Sequence, residues 1–177
     1  YLAESFIKTA YYCWKKNPAL KLITSAINEN RNEEFHAHVR GIAPDLPMQF
    51  YVGRSHDVMA AADAVLVTSG TATLETMLFK RPMAVAYKMS GLTFQIAKRV
   101  VKLKYVSLPN LLADEYLVPE FIQDAVKPEM MGDALLDFLN HPEKTKSLEE
   151  KFLALHQTLR CNASEQAAQA ILSLIKK

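Results

Sequence analysis

The chain has 177 residues, of which half are hydrophobic and 23% are charged, and its formal net charge is +2 at pH 7. This composition is normal for a globular protein with one full core, and so small a net charge selects no class of partner by itself. No apolar stretch approaches the roughly 18–20 residues that a bilayer-spanning helix needs.

Hydrophobic periodicity predicts that helices and strands alternate along the first two-thirds of the chain. The predicted helices cover residues 1–16, 29–39, 55–62, 74–80 and 91–103, a broken region at 115–123, then 128–140 and a long tail from 143. The predicted strands cover residues 20–27, 48–52, 64–68, 82–88 and 105–108. Ser55 is expected to cap its helix, Pro128 to begin one, and Asn162 to lie at a break in the tail.

This alternation predicts an α/β fold: a doubly wound, Rossmann-like parallel sheet with helices on both faces, followed by a long C-terminal helical tail. Ligands of such sheets bind beyond the carboxyl ends of the strands. Tyr1 enters a helical pattern with neither a methionine nor a cap, so we expect that an upstream part is absent. Cys13 and Cys161 lack metal or redox spacing, which fits a reducing compartment, and Cys161 is expected to be a packed thiol.

The segment SGTATLE, residues 69–75, predicts a cradle for a nucleotide diphosphate. A buried strand, a glycine turn and a helix start follow one another there, and a helix start offers backbone N–H groups and a partial positive charge to an anion. Gly70 allows close approach, and hydroxyl donors flank it. Glu75 lies one helical turn beyond Thr71, where its carboxylate can accept hydrogen bonds from a ribose diol. An ordinary capped core helix is the alternative for this segment.

Two further features border the same predicted edge of the sheet. Lys88 ends one predicted strand, and Asn110 follows another at the corner Pro109-Asn110, so both are expected to converge on the cradle. Between residues 76 and 113 there is no acidic residue, while seven lysines and arginines are present. This basic segment indicates either a solvated helix face or a surface for anionic lipid head groups or a phosphorylated substrate. Nucleic acid is disfavoured, because no series of aromatic residues interleaves the charges.

A series of segments resembles the lipid-A-disaccharide synthase family in order and spacing. The segments are SGTATLE at 69–75, AVAYKM at 84–89, AKRVVK at 97–102, YVSLPNLL at 105–112 and RCNASEQAA at 160–168. The resemblance covers essentially the whole chain. It implies the C-terminal half of a two-domain GT-B glycosyltransferase that is inverting and needs neither a metal nor a cofactor.

The family's reaction is implied by the resemblance alone. It transfers diacylglucosamine from UDP-2,3-diacylglucosamine to diacylglucosamine 1-phosphate and forms the β-1,6 disaccharide of lipid A. The resemblance also implies a cytoplasmic location, peripheral on the anionic inner membrane of Gram-negative bacteria, and leaves a homo-oligomer open. Another UDP-sugar enzyme, such as an epimerase or a cell-wall transferase, and a non-catalytic nucleotide-binding or membrane-adaptor domain are the alternatives.

The resemblance assigns a role to each candidate residue. The expected diphosphate contacts are Ser69, Gly70, Thr71 and Thr73, with Glu75 on the ribose, Asn110 on the donor sugar or phosphate, and Lys88 near the crevice. The expected membrane or acceptor surface is Lys98, Arg99 and Lys102. Asp114-Glu115 departs from a Gly-Arg pair found in some relatives, which puts a basic residue at this corner in doubt.

The resemblance also predicts how the chain is organised. Residues 1–142 are expected to form the nucleotide-sugar-binding domain, and residues 143–177 to form helices that cross to the other domain or to a partner chain. The N-terminal domain of the family, with the expected catalytic base, is absent, as is the Gly-Ser-Arg loop upstream of Tyr1. A fragment of this kind is expected to bind UDP without turnover.

Overall fold

The computed structural model describes residues 2–91, 93–94 and 104–175. The described helices are α1 (Ala3–Lys16), α2 (Glu29–Ile42), α3 (Ser55–Ala61), α4 (Thr71–Leu78), α5 (Leu108–Ala113), α6 (Pro128–Asn140), α7 (Pro142–Leu159) and α8 (Ala163–Ile175). The strands are β1 (Leu22–Ala26), β2 (Met48–Val52), β3 (Val65–Thr68), β4 (Met83–Tyr87) and β5 (Glu120–Ile122), and a short 3₁₀ turn follows at Gln123–Ala125. Most of the helix predicted over 91–103 lies outside the described residues.

All the described strand pairs are parallel, which confirms the predicted α/β class. β1 pairs with β2 in one sheet, and β4 lies between β3 and β5 in a second sheet. Within the described residues the strands therefore form two sheets rather than one continuous sheet.

Helices cover both faces of the three-stranded sheet, as predicted. Ala84 and Ala86 of β4 pack in a cluster with residues of α1 and α6. Met83 and Val85 point the other way and pack against α4 and α7, where Phe152 is fully buried. Successive residues of a strand face opposite sides, so an unbroken apolar strand is what a sheet covered on both faces requires.

A third cluster covers the two-stranded sheet. Ile7 of α1 packs there with Val39 of α2 and with Ala43 and Leu46 of the following loop. Cys13, two turns further along α1, packs instead against the three-stranded sheet. Helix α1 therefore bridges the two sheets.

The strand predicted over 105–108 is wrong, because a helix begins at Leu108. Ser107 has extended backbone angles at the helix start, and Pro109 lies in the first turn, where its fixed φ and absent N–H are tolerated. The broken helix predicted over 115–123 is wrong as well. Residues 120–122 form β5, because they pair with the edge that β4 presents.

Smaller corrections concern single residues. Ser55 does not cap α3: the helix starts at Ser55 itself, with Arg54 at the cap position and no side-chain cap bond. Cys161 is exposed, whereas Cys13 is buried, and burial raises the pKa of the Cys13 thiol to about 11. Pro128 begins α6 and the tail breaks before Ala163, both as predicted.

The two tail helices differ in how they pack. Helix α7 contributes Leu148 and Phe152 to the core of the three-stranded sheet. Helix α8 leaves Ile171, Leu172 and Leu174 at least half exposed, at 58%, 54% and 76%. No helix in the described part of the chain is both long and apolar enough to cross a bilayer.

Candidate functional site

The turn between β3 and α4 lies at the carboxyl edge of the sheet, where the sequence predicted the cradle. The Ser69 amide donates to the Ala86 carbonyl at 3.0 Å, which fixes the start of the turn against the end of β4. Gly70 follows with φ +138°, a conformation that L side chains rarely adopt, although a Cβ there would meet no other atom. Glycine is therefore required for its backbone angle and not for space.

Helix α4 begins directly after this glycine. The Thr73 amide and the Thr73 hydroxyl both donate to the Gly70 carbonyl, at 3.1 and 2.7 Å. Gly70 and Thr71 are exposed at the mouth of the helix. The first N–H groups of a helix have no partner within it, so this exposed mouth can receive an anion.

Two hydrogen bonds tie the turn to the corner around Pro109. The Ser69 hydroxyl donates to the Val106 carbonyl at 2.6 Å, and the Leu108 amide donates to the Thr73 hydroxyl at 3.3 Å. The structure thus brings the turn and the corner together. Thr73 is fully buried and its hydroxyl is used in these contacts, so it positions the turn from within.

Asn110 lies inside the corner and is fully buried. Its side-chain nitrogen donates to the Val118 carbonyl at 2.9 Å and to a Glu120 carboxylate oxygen at 2.8 Å. Its side-chain oxygen accepts from the amides of Leu117 and Val118, at 2.8 and 2.9 Å. Two donor and two acceptor positions of the amide are therefore satisfied within the protein.

Glu120 holds the other side of the same corner. Its carboxylate accepts from the Val106 amide and the Ser107 amide, both at 2.9 Å, and from the Ser107 hydroxyl at 2.6 Å. Sequence reasoning missed this residue, because it placed 115–123 in a broken helix. The sequence does carry a signal for it: Pro119 and Glu120 are followed by two apolar residues, 121 and 122, and this pattern fits a short strand.

Glu75 lies on the exposed side of α4. Its side chain is 41% exposed, and one carboxylate oxygen lies 3.5 Å from the His56 Nε2 of α3. The His56 ring also lies beside the Phe79 ring, with centroids 5.7 Å apart. Glu75 can therefore meet a ligand that reaches the mouth of α4, with His56 as its neighbour.

The predicted basic residues are distributed unevenly. Lys88 is exposed just beyond β4. The hydrogen bond with Lys8 is the main cause that lowers the pKa of Glu4 in α1, and the charge of Lys88 adds a smaller effect of the same sign, so Lys88 lies near α1. Lys104 near the corner donates to an Asp114 carboxylate oxygen at 3.0 Å, and this contact raises the pKa of Lys104. The three residues predicted for a membrane surface lie outside the described residues: Lys98, Arg99 and Lys102.

Comparison with known proteins gives one consistent match. The family model described as lipid-A-disaccharide synthetase matches residues 1–171. A lipid-A-disaccharide synthase of Cellvibrio japonicus is 44% identical over 175 residues, which are 99% of this chain and 45% of the relative. The synthase of Yersinia pestis is 46% identical over 173 residues, or 98% of this chain and 44% of the relative. The chain thus spans less than half the length of these relatives.

Proposed function

The chain belongs to the lipid-A-disaccharide synthetase family, and from that premise we propose that it supplies the UDP-binding half of a glycosyltransferase of lipid A biosynthesis. The donor is UDP-2,3-diacylglucosamine and the acceptor is diacylglucosamine 1-phosphate. The reaction forms a β-1,6 bond. Both the curated relatives and the family description name a lipid-A-disaccharide enzyme, which favours this reaction over other UDP-sugar chemistry.

The observation that carries the UDP proposal is the exposed turn at Gly70. A positive-φ glycine opens a helix at the carboxyl edge of a parallel sheet, and this is the geometry that binds phosphate groups in doubly wound folds. The pyrophosphate lies on the backbone amides at the mouth of α4, beside the exposed Thr71. Hydrogen bonds within the protein hold the turn and the corner in place under the pyrophosphate. They are made by the Ser69 hydroxyl, Thr73 and Asn110.

The rest of the nucleotide follows from the orientation of α4. Glu75 accepts hydrogen bonds from the ribose hydroxyls, one helical turn beyond Thr71. Lys88, at the end of the neighbouring strand, adds positive charge to the same edge. His56 contacts Glu75 at 3.5 Å and so limits where that carboxylate can point.

The chemistry that these groups support is displacement at the anomeric carbon of the donor sugar. The acceptor 6-hydroxyl forms the new C–O bond and loses its proton to a base, while the bond to UDP breaks and the electron pair leaves with the diphosphate. Oriented N–H dipoles stabilise the negative charge that develops on that leaving group. The base is assigned to the part of the longer protein outside this chain.

A titration of this chain with uridine, UMP and UDP tests the proposal. We expect UDP to shift the amide NMR signals of residues 69–72 and the signal of Glu75, and uridine alone to leave residues 69–72 unchanged, because only the diphosphate reaches the turn. Substitution Gly70→Ala is expected to weaken UDP binding about tenfold or more, since an L residue at that φ is strained by about 1–3 kcal/mol.

The matched control is Gly41→Ala. Gly41 lies in α2 with no atom within 4 Å of a Cβ, so the substitution removes a helix glycine without touching the turn. It should leave UDP affinity unchanged. Equal shifts with uridine and UDP, or wild-type affinity in a folded Gly70→Ala variant, would remove the turn from the nucleotide site.

A further inference from the structure

The segment that follows β4 leaves the sheet beside the turn at Gly70. Strand β4 lies between β3 and β5, and the Ser69 amide donates to the Ala86 carbonyl at 3.0 Å, so the last residues of β4 border the turn. Residues 88–90 come directly after this strand, at the carboxyl edge of the sheet. A contact that fixes residues 88–90 therefore fixes the surface beside the proposed pyrophosphate site.

The side chain of Gln123 holds both backbone groups of Met89. Its Oε1 accepts from the Met89 amide at 2.9 Å, and its Nε2 donates to the Met89 carbonyl at 3.1 Å. A side-chain amide carries the same donor and acceptor as a peptide group, so it can bind an extended residue as a neighbouring strand would. Gln123 comes directly after β5, whose Ile122 pairs with Tyr87 of β4. The side chain thus extends the pairing of β4 with β5 beyond the ends of the two strands.

The backbone of Gln123 turns away from β4 while its side chain reaches Met89. Its φ is +51°, in the left-handed region that residues other than glycine and asparagine rarely adopt, and a 3₁₀ turn begins there. Glycine would adopt this φ at lower cost, but it would offer Met89 no side chain. Backbone strain of this kind clusters at ligand sites, so the presence of glutamine here indicates that its side chain is needed.

The chain beyond Met89 begins a helical turn. The Ser90 hydroxyl lies 2.6 Å from the Thr93 hydroxyl and accepts from the Thr93 amide at 3.3 Å. The Ser90 carbonyl accepts from the Phe94 amide at 2.9 Å, so Ser90 lies at the cap position of the turn. Ser90 and Thr93 are exposed. The segment that Gln123 holds therefore presents two hydroxyl groups at the surface.

The orientation of the proposed nucleotide decides which part of the donor reaches these hydroxyls. Glu75, the proposed ribose contact, lies beside His56 of α3, and α3 packs against β1 and β2. The nucleoside end would therefore lie on the β1 side of the turn at Gly70. A sugar joined to the other end of the diphosphate then extends in the opposite direction, over the end of β4 and toward Ser90.

We propose that Gln123 is a positioning residue for the sugar end of the donor. Its side chain holds Met89 and so keeps Ser90 and Thr93 where their hydroxyls can bond to polar groups of the hexosamine. The inference rests on the proposed function, because it takes the diphosphate to lie at Gly70. A segment that is held in place before the ligand arrives loses less entropy on binding, so the contact raises the affinity for the sugar.

Calorimetric titration of the 177-residue chain with UDP and with UDP-glucosamine tests this role. UDP-glucosamine carries the sugar of the proposed donor without its acyl chains. Substitution Gln123→Gly accepts the left-handed φ and removes the contact with Met89. We expect it to weaken UDP-glucosamine binding at least about fivefold and UDP binding by less than about twofold, because only the sugar reaches the released segment.

Two further variants separate the side chain from the backbone. Gln123→Asn tolerates the same φ, but its shorter amide cannot reach both groups of Met89, so we expect it to weaken UDP-glucosamine binding as Gln123→Gly does. The matched control is Asn162→Gly, since Asn162 has φ +48° at an exposed position of the tail. It should leave both affinities unchanged.

Hydrogen exchange tests the contact without a ligand. The Met89 amide is expected to exchange at least about tenfold faster in Gln123→Gly than in the wild-type chain, because it loses its acceptor. The Val85 amide donates to the Pro119 carbonyl at 2.9 Å within the same sheet and serves as the internal reference. Its exchange should not change.

Each other outcome overturns the proposal. Unchanged exchange at Met89 would mean that Gln123 does not hold the segment, and undiminished UDP-glucosamine binding in both variants would mean that the sugar does not reach it. Equal weakening of UDP and UDP-glucosamine would make Gln123 a residue that only stabilises the fold. Wild-type affinity in Gln123→Asn alone would trace the glycine effect to backbone freedom. Absence of UDP binding in the wild-type chain would overturn the proposed function itself, and the donor role of Gln123 with it.

Discussion

Asn110 and Glu120 are polar residues whose hydrogen bonds hold a corner of backbone in place. Asn110 satisfies both amides and the carbonyl of its neighbours, and Glu120 receives the amides of Val106 and Ser107. A buried side chain that satisfies backbone groups replaces the pairing that a strand or helix supplies elsewhere. Side chains therefore hold the irregular segments on both sides of α5, with Glu120 bonded to the segment before the helix and Asn110 to the segment after it.

Substitution Asn110→Ala is expected to lower the free energy of unfolding by about 3–5 kcal/mol, because it leaves buried partners unpaired. Urea denaturation followed by circular dichroism measures the change. The control is Asn30→Ala at an exposed position of α2, which should change the unfolding free energy by less than about 0.5 kcal/mol. A loss below about 1 kcal/mol for Asn110→Ala would contradict the role assigned to its four hydrogen bonds.

Local patterns predicted some site residues and could not predict others. The strand, the turn and the helix around Gly70 are formed by consecutive residues. The position of the turn and the exposed start of α4 could therefore be predicted from the sequence. The partners of Asn110 are seven to ten residues away and depend on the fold of the whole corner. Glu120 acts on residues that precede it by 13 and 14 positions, and no sequence period links them.

At the scale of elements, α1 and α6 pack so closely that only glycine fits at position 132. A Cβ on Gly132 would overlap the Tyr12 ring and would lie 3.3 Å from the Cys13 sulfur. The Tyr12 hydroxyl also donates to the Asp133 carboxylate at 2.7 Å, which restrains the ring at this contact. The crossing of the two helices therefore depends on one small residue.

Substitution Gly132→Ala is expected to reduce the free energy of unfolding by about 1–3 kcal/mol, since the overlap outweighs the better helix propensity of alanine. Gly41→Ala is the matched control, because the same substitution in an open helix position should raise it by about 0.5–1 kcal/mol. Denaturant unfolding of both variants gives the comparison. A stabilised Gly132→Ala variant would mean that the helices can separate at no cost.

Most elements were predictable because they carry their own signal. The strand at 48–52 and the helix at 128–140 have the predicted bounds, since each combines a clear period with a proline or loop at its boundary. The prediction of a strand over residues 105–108 was wrong because a short apolar run does not distinguish a strand from the segment that leads into a helix. Strand β5 has three residues, and only its pairing with β4 defines it.

At the scale of the whole molecule, charge is nearly balanced, with 21 basic and 19 acidic residues. The attraction to a membrane that the resemblance predicts would therefore have to come from a local cluster and not from the net charge. The cluster predicted for this role is Lys98, Arg99 and Lys102, and it stays a prediction because these residues lie outside the described ones.

Charge reversal of that cluster to glutamate is expected to reduce sedimentation with vesicles rich in anionic lipid, because each basic residue near such a surface contributes about 1 kcal/mol. Reversal of Lys8, Lys15 and Lys16 on α1 makes the same change in net charge elsewhere and serves as the control. An equal loss of sedimentation for the two triple variants would show that vesicle binding depends on overall charge and not on this cluster. Undiminished sedimentation of the first variant would make the basic segment an ordinary solvated surface.

The bonds from Glu120 also set an order of events during translation. The ribosome releases the turn at Gly70 well before it releases Glu120, which holds the amides of Val106 and Ser107. At roughly 5–20 residues per second, a nascent chain spends a few seconds with the turn made and its support still inside the exit tunnel. A nascent chain that stalls in this interval would expose the turn at Gly70 without the support of Glu120, so we expect the nucleotide proposed to bind there to stabilise the domain only after β5 has emerged.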